Sequence, residues 1–421
     1  MTDTAAPDLS GALAALLTPD RPTRLGVAVS GGGDSMALLH LLSDWARGHG
    51  VDLCAATVDH GLRPAAGAEA AMVGEVCEGL GVPHAILRWT GWDGTGNLQD
   101  QARRARYALL ADWAQASGLG AVALGHTADD QAETFLMRLV RGAGVDGLSA
   151  MAPCRRALGV DWLRPMLDVT RDDLRRWLAA RRLGLVDDPS NANPRFARVQ
   201  ARQVLGLLQP LGLDAQALRE TTRRLAEARE ALDLTALAAA RQIASVEAGD
   251  VRIARPGLAA LPGEIRRRLL SHALAWVASA EYRPRHATLV QALEVAEHGG
   301  SVTLHGCQVE ARGDGLRIGR EYQAVKAQES AVAAIWDRRW RVFPPEGADL
   351  AGLRVAALGE AGLRACPGWR DTGLPRASLL AGPAVWRGGD LVAAPLAGQA
   401  AGWRAALARG ADDYFASLLS H

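Results

Sequence analysis

Between Arg24 and Arg182 short apolar runs alternate with amphipathic stretches, and this alternation narrows the fold more than any other feature. Strands are expected at Arg24–Val29, Val51–Val58, Pro83–Trp89, Ala121–Gly125 and, more weakly, Val160–Pro165. Helices are expected between and after them at Met36–Arg47, Gly67–Leu80, Asn97–Ser117, Asp129–Arg141 and Thr170–Arg182. Strands that each feed a helix before the next strand build an α/β fold, a parallel doubly wound sheet covered on both faces. Sheets of this kind take ligands beyond the carboxyl ends of their strands. The polar motifs of this chain fall at or near those ends.

Near Pro210 the pattern changes. Asp214–Val246 reads as one long Ala-, Arg- and Glu-rich connector helix, and Gly263–Ala280 and Arg283–His298 as two more helices. Alternation at Ser301–Leu304, Gln308–Ala311 and Leu316–Ile318 suggests a small hairpin. The last segment, rich in Gly, Pro and Trp, carries short strand-like runs at Trp340–Phe343, Leu353–Ala357, Ala384–Trp386 and Leu391–Ala394. The expected organisation is therefore a first domain over 1–209, a helical connector and second domain over 210–322, and a small mixed α/β domain over 335–421.

Composition removes several classes of function. No apolar run approaches the roughly 18 residues that span a bilayer. The stretch Met1–Leu17 has Asp3 and Asp8 but no basic residue, unlike a secretory signal, so a cytoplasmic protein is expected. Five scattered cysteines, Cys54, Cys77, Cys154, Cys307 and Cys366, contain no Cys-x-x-Cys pair, which argues against a disulfide scaffold and against a zinc or iron–sulfur site. Cys54, within an apolar run, reads as a buried thiol. The formal net charge is only +1, yet 138–202 holds thirteen arginines against seven acidic residues. Lys326 is the single lysine, so a Walker-type phosphate loop is excluded. Oligomeric state is not legible, and a homodimer stays open.

The chemistry centres on Ser30-Gly31-Gly32-Gly33-Asp34-Ser35, between the first strand and the first helix. Consecutive glycines let backbone amides approach an anion without Cβ interference. The following helix presents its free N–H groups and positive dipole end to the same anion. Ser30 and Ser35 add hydroxyls, and Asp34 supplies a carboxylate suited to Mg²⁺ beside phosphate oxygens. The match to Ser-Gly-Gly-x-Asp-Ser is complete, and the loop resembles that of the PP-loop ATP pyrophosphatases. That likeness implies ATP cleaved between its α- and β-phosphates, with AMP transferred to an oxygen and then displaced.

Further motifs follow in order: Asp59-His60-Gly61-Leu62-Arg63, Asn97-Leu98-Gln99 with Arg103 and Arg106-Tyr107, and Gly125-His126-Thr127-Ala128-Asp129-Asp130-Gln131-Ala132-Glu133-Thr134. Arg141-Gly142-Ala143-Gly144, Arg164-Pro165 and Asp187-Asp188-Pro189-Ser190-Asn191 with Arg195, Arg198 and Arg202 complete the set. In this order and spacing, over about 24–205, the chain is similar to the tRNA(Ile)-lysidine synthases. The resemblance implies that lysine is joined to carbon 2 of the wobble cytidine of a tRNA(Ile) with a CAU anticodon, through an adenylated cytidine, releasing AMP and pyrophosphate. It implies Asp130 and Glu133 as the lysine-binding carboxylates; His126, following Gly125 at a strand end, is a candidate contact to nucleotide or substrate, and Asp34 is the expected magnesium ligand. The resemblance also places Arg103, Arg106, Arg141, Arg195, Arg198 and Arg202 toward the tRNA.

Taken alone, each block has a plainer use. Acidic residues at a helix start serve as caps and dipole partners, paired arginines on a helix are commonly a solvated face, and Asp-Pro-Ser-Asn is turn chemistry. Rival functions are a PP-loop tRNA thiolase, which the scattered cysteines disfavour, an ATP-dependent ligase of small metabolites, and a catalytically silent tRNA-binding protein, which the intact loop disfavours.

Overall fold

The computed structural model describes residues 16, 22–61, 66–92, 98–149, 151–184, 197–280 and 282–419. Leu62, Arg63, Asn97, the 187–191 turn and Arg195 lie outside the described residues, as does nearly all of Met1–Leu17. Contacts divide the chain into two compact units, Met1–Arg229 and Glu230–Ser420.

The first unit is built from β1 (Arg24–Ala28), α1 (Gly33–His49), β2 (Asp52–Asp59), α2 (Ala66–Leu80), β3 (His84–Arg88), α3 (Leu98–Ala116) and β4 (Ala121–Leu124). It continues through α4 (Ala128–Leu139), the single turn α5 (Val145–Leu148), β5 (Cys154–Ala157), β6 (Val160–Leu163), α6 (Arg171–Ala180) and α7 (Ala197–Leu208). The six-stranded sheet has the order β3-β2-β1-β4-β6-β5. All neighbours are parallel except β5, which pairs antiparallel with β6 at the edge. The expected α/β architecture is present. The edge strand β5 is an addition that the sequence did not announce.

Because strand side chains alternate between faces, the buried residues sort into two cores. Leu25, Val27, Val29, Leu53, Ala55 and Ala123 pack against α1, α2 and α6, where Leu38, Val73 and Trp177 are buried. Ala28, Cys54, Ala56, Val122, Leu124 and Trp162 pack on the other face with Leu110, Ala111 and Ala114 of α3. A sheet apolar on both faces is what parallel strands with crossover helices require. Cys54 is buried in the second core, as expected from its neighbours.

Strand order reverses at β1: the chain moves outward through β2 and β3, then returns to place β4 on the other side. The crevice beyond the carboxyl ends of β1 and β4 is therefore the topological switch point, where ligands of open α/β sheets bind. Helix α1 begins at Gly33, three residues earlier than the apolar pattern suggests, so Asp34 and Ser35 belong to its first turn.

The division between units falls within α8 (Ala215–Ile243). In the second unit, β7 (Ala244–Glu247), β8 (Asp250–Ala254), β9 (Gly300–Leu304), β10 (Cys307–Arg312) and β11 (Gly315–Arg320) form an antiparallel sheet of order β7-β8-β11-β10-β9. Helices Gly263–Ala278 and His286–His298 cover it, with Leu269, Leu274, Val309 and Ile318 in the shared core. The hairpin expected near residues 301–318 is thus three strands at one end of a larger sheet. Strand β7 begins at Ala244, where the expected helix was to run on through Val246, and β8 was not expected. A four-stranded antiparallel sheet and a two-stranded ribbon follow, cored by Trp336, Trp340 and Trp403.

Candidate active site at the switch point

The glycine loop closes on itself at the end of β1. Ser35 Oγ donates to Gly32 O at 2.9 Å, Ser30 N donates to Ser35 Oγ at 3.1 Å, and the two hydroxyls lie 3.2 Å apart. Gly31 has φ 87°, in the left-handed region that favours glycine. On the other side of the crevice Gly125, just after β4, comes so near that a Cβ there would lie 3.1 Å from Ser35 Cα. The two loops are packed backbone to backbone.

Thr127 is the N-cap of α4, and its cap is reciprocal. Thr127 N and Oγ1 donate to Asp130 Oδ2 at 2.9 and 3.0 Å, and Asp130 N donates back to Thr127 Oγ1. Asp130 therefore caps the helix and faces the crevice at once, one carboxylate oxygen for each task. Its other oxygen, Oδ1, has Arg171 Nη2 at 3.5 Å and Arg198 Nη1 at 3.6 Å. Burial works against the Asp130 charge, but Arg198, Arg171 and the Thr127 N–H hold its carboxyl below the usual carboxylate range.

Glu133, one turn later, is 1% exposed. Its Oε1 accepts from Arg202 Nε at 2.9 Å and Arg171 Nη1 at 3.2 Å. Its Oε2 is buried without a hydrogen-bond partner among the described residues. Asp34 Oδ2 accepts from Arg171 Nε at 3.1 Å. Burial pushes the Asp34 carboxyl up, against the pull of Arg171.

One guanidinium thus touches three carboxylates that arrive from α1 and α4. Its backbone is fixed as well: Arg171 N donates to Asp129 Oδ2 at 2.7 Å, and Ala128 N donates to Val169 O at 3.0 Å. The starts of α4 and α6 are sutured together. Burial opposes the Arg171 charge, but Asp130, Glu133 and Asp34 together hold its pKa above the ordinary arginine value. Sequence reasoning passed over this residue. The available signal was an arginine at the first position of a helix, where a positive charge opposes the dipole.

His126 sits at the carboxyl end of β4 with Nδ1 buried and unpartnered among the described residues. Burial lowers its pKa to about 3; Asp130 opposes this, while Arg164, Arg106 and Arg198 reinforce it. It is a neutral imidazole at neutral pH. His60, after β2, is also pulled down by burial and by Arg106, and meets Trp89 edge-on at 5.8 Å.

The arginines divide. Arg198 and Arg202, four apart on one face of α7, both turn to the acidic pair. Arg106 is half-buried on α3, its pKa lowered by burial and by the nearby charges of Arg198 and Arg103. Arg103 is exposed, with its guanidinium 6.0 Å from the centre of the Tyr107 ring. Arg141 is exposed in the turn after α4.

Among the described residues no group of three or more His, Cys, Asp or Glu side chains could cage a metal. Mg²⁺ beside a nucleotide needs no such cage, since one or two carboxylates suffice when phosphates and water complete the shell. Asp34, in the first turn of the helix behind the glycine loop, fits that description.

A family model of the PP-loop domain matches residues 6–208. A tRNA(Ile)-lysidine synthase of Ruegeria pomeroyi is 52% identical over 417 residues, covering 99% of this chain and 99% of that protein. Another, from a Bradyrhizobium species, is 42% identical over 261 residues, 59% of this chain and 73% of that one. Among solved structures, a U34-tRNA thiolase of Methanococcus maripaludis matches 52% of this chain and 78% of its own at 18% identity, with a TM-score of 0.43. No described helix is long and apolar enough to cross a membrane.

Proposed function

The chain belongs to the tRNA(Ile)-lysidine synthase family, and we propose how its switch-point crevice divides the labour of making lysidine. The chemical obstacle is that the carbonyl oxygen at carbon 2 of cytidine cannot leave as oxide. That oxygen attacks the α-phosphorus of ATP, pyrophosphate departs, and the oxygen becomes part of an AMP leaving group. The lysine Nε then bonds to carbon 2, the carbon–oxygen bond breaks, AMP leaves, and the amine gives up a proton.

Ser30, Gly31, Gly32, Gly33, Asp34 and Ser35 form the ATP cradle. Backbone N–H groups of the loop and the start of α1 face the phosphates, where preorganised donors stabilise developing charge at little reorganisation cost. Mg²⁺, when bound, would be held by Asp34 and would neutralise charge on the departing pyrophosphate. His126 contacts the nucleotide or the base as a neutral hydrogen-bonding group, since its lowered pKa makes it a poor proton acceptor.

Asp130 and Glu133 receive the lysine ammonium. An ammonium offers three donors and needs anionic acceptors, and Glu133 Oε2 is a buried carboxylate oxygen with no other partner among the described residues. The lysine ammonium has a pKa of about 10.4, so it must give up a proton to free its lone pair before attack, and this oxygen suits the task of accepting it. Arg103, Arg106 and Arg141 are assigned to the tRNA, whose wobble base must be splayed out to reach the crevice, while Arg198 and Arg202 serve the acidic pair. A cytoplasmic location accords with a tRNA substrate. Association into a homodimer is compatible with this scheme and is not required by it.

The observation that carries the proposal is the meeting of the glycine loop and the acidic pair around one guanidinium, 3.1 Å from Asp34 and 3.2 Å from Glu133. The test incubates the protein with ATP, labelled lysine and unmodified tRNA, then identifies the labelled nucleoside after digestion. Label in lysidine is expected. Asp34→Ala should lower its formation on the order of 100-fold or more while leaving the fold intact. Unchanged turnover in that variant would remove Asp34 from the nucleotide site.

A further inference from the structure

Lysine recognition by two carboxylates poses a problem that Asp130 and Glu133 cannot solve alone. Buried carboxylates near one another, with Asp34 and Asp129 close by, repel and would swing apart or take up protons before a substrate cation arrives. Arg198 and Arg202 counter part of this, but both side chains are nearly half exposed, at 45% and 44%. Arg171 is different: its side chain is 14% exposed, and its backbone N–H is anchored on Asp129. Its three guanidinium nitrogens each address a different carboxylate: Asp34, Asp130 and Glu133.

The division of oxygens follows. Arg171 and Arg202 share Glu133 Oε1, which leaves Oε2 without a partner among the described residues. Thr127 takes Asp130 Oδ2, which leaves Oδ1 with the guanidiniums of Arg171 and Arg198 beyond hydrogen-bond range at 3.5 and 3.6 Å. Glu133 thus keeps one oxygen without a partner among the described residues, and Asp130 keeps one that meets only the charges of Arg171 and Arg198. We infer that Arg171 is a positioning residue for lysine: it hydrogen-bonds Asp34 and Glu133, draws Asp130 by charge at 3.5 Å, and so sets the acidic pair relative to the nucleotide-loop carboxylate before the ammonium arrives. A planar guanidinium with donors in fixed directions can address three carboxylates at once; a lysine at this position, a compact point charge on a flexible stem, cannot. The placement also accounts for an arginine at the first position of α6, where the helix dipole disfavours it. This inference rests on the assignment of Asp130 and Glu133 to lysine.

The test compares wild type, Arg171→Met and Arg171→Lys in the full chain, by steady-state lysidine formation and by calorimetric titration with lysine alone. Arg171→Met should raise the lysine KM and Kd about tenfold or more, with kcat at saturating lysine changed less and tRNA affinity kept. Arg171→Lys should fall between wild type and Arg171→Met. A lysine KM within twofold of wild type in both variants overturns the inference. So does a fall in KM, which would mean that the guanidinium competes with the substrate, and so does a loss of kcat with KM unchanged. If Arg171→Met does not fold, Arg171→Lys decides by the same criterion: a lysine KM within twofold of wild type overturns the inference. If wild type incorporates no lysine at all, the lysine assignment fails and this inference with it, whereas unchanged variants of an active wild type overturn the inference alone.

Discussion

Gly125 shows how much of the site depends on a side chain that is absent. A Cβ there would meet Ser35 Cα at 3.1 Å and Ser35 N at 3.2 Å, and backbone atoms cannot rotate away as a side chain can. Relief would have to come from the first turn of α1, the element that holds Asp34 and carries the loop. Gly125→Ala is expected to cost about 1–3 kcal/mol and to raise the KM for ATP, checked by thermal unfolding and by ATP titration of the initial rate. An unchanged ATP KM would show that the crevice yields without moving the loop. The glycine run at 31–33 could be read from the sequence because its function is local. Gly125 could be read only as the end of a strand, because the atoms that demand a glycine lie ninety residues away in the chain. The same distance hid Arg171, whose partners Asp34, Asp130 and Glu133 come from elements far from it in sequence. Asp130 was legible as a helix cap, and Thr127 holds one of its oxygens.

At the scale of elements, legibility followed hydrophobic period. The core strands β1, β2 and β4 and the helices α1 to α4 have an apolar face that announces them. Strand β5 has none: Cys154, Arg155 and Arg156 are exposed, and a charged edge of this kind discourages pairing with other chains. Strands β7 and β8 were masked by their turn. Glu247 pairs with Asp250, and the two residues between them, Ala248 and Gly249, have φ of 47° and 86°. Tight hairpins with both central residues at positive φ ordinarily carry Asn-Gly or Asp-Gly, and Ala-Gly at the end of an alanine-rich helix gives no such signal. The second unit also contains a titratable joint between elements. His272, buried on helix Gly263–Ala278, has Nε2 2.8 Å from the carbonyl oxygen of Tyr414 on helix Ala411–Ala416, a contact in which the ring donates. Burial lowers its pKa from 6.5 to about 4. Between those values the unfolded chain binds a proton that the folded chain does not, so stability rises with pH across the window. Acidification from the upper value to the lower is expected to remove roughly 3 kcal/mol through this group. His272→Gln should flatten the dependence of unfolding free energy on pH between these limits. A variant whose profile parallels wild type would place the acid sensitivity elsewhere.

For the whole molecule the question is how a chain of net charge +1 holds a polyanion. Total charge supplies no general attraction, so the positive surface must be local, and the excess of arginine over 138–202 is the obvious source. Yet part of that charge is already committed within the protein. Arg198 and Arg202 are paired with Asp130 and Glu133, while Arg103 and Arg141 stand exposed. Two kinds of arginine are therefore expected to answer to two kinds of measurement. Arg103→Ala and Arg141→Ala should weaken tRNA binding alike for cognate and non-cognate tRNA, each reducing the dependence of log K on log salt by about 0.7–0.9 between roughly 50 and 200 mM. Arg198→Ala and Arg202→Ala should leave that slope nearly intact and raise the lysine KM instead, because a carboxylate of the pair loses a counter-charge in a buried setting. Filter binding across salt, run beside lysine titrations of the initial rate, separates the two. Should Arg198→Ala lower the salt slope with the lysine KM untouched, its pairing with Asp130 would be a resting contact that tRNA phosphate displaces. The acidic pair would then depend for its charge balance on Arg171 and Arg202.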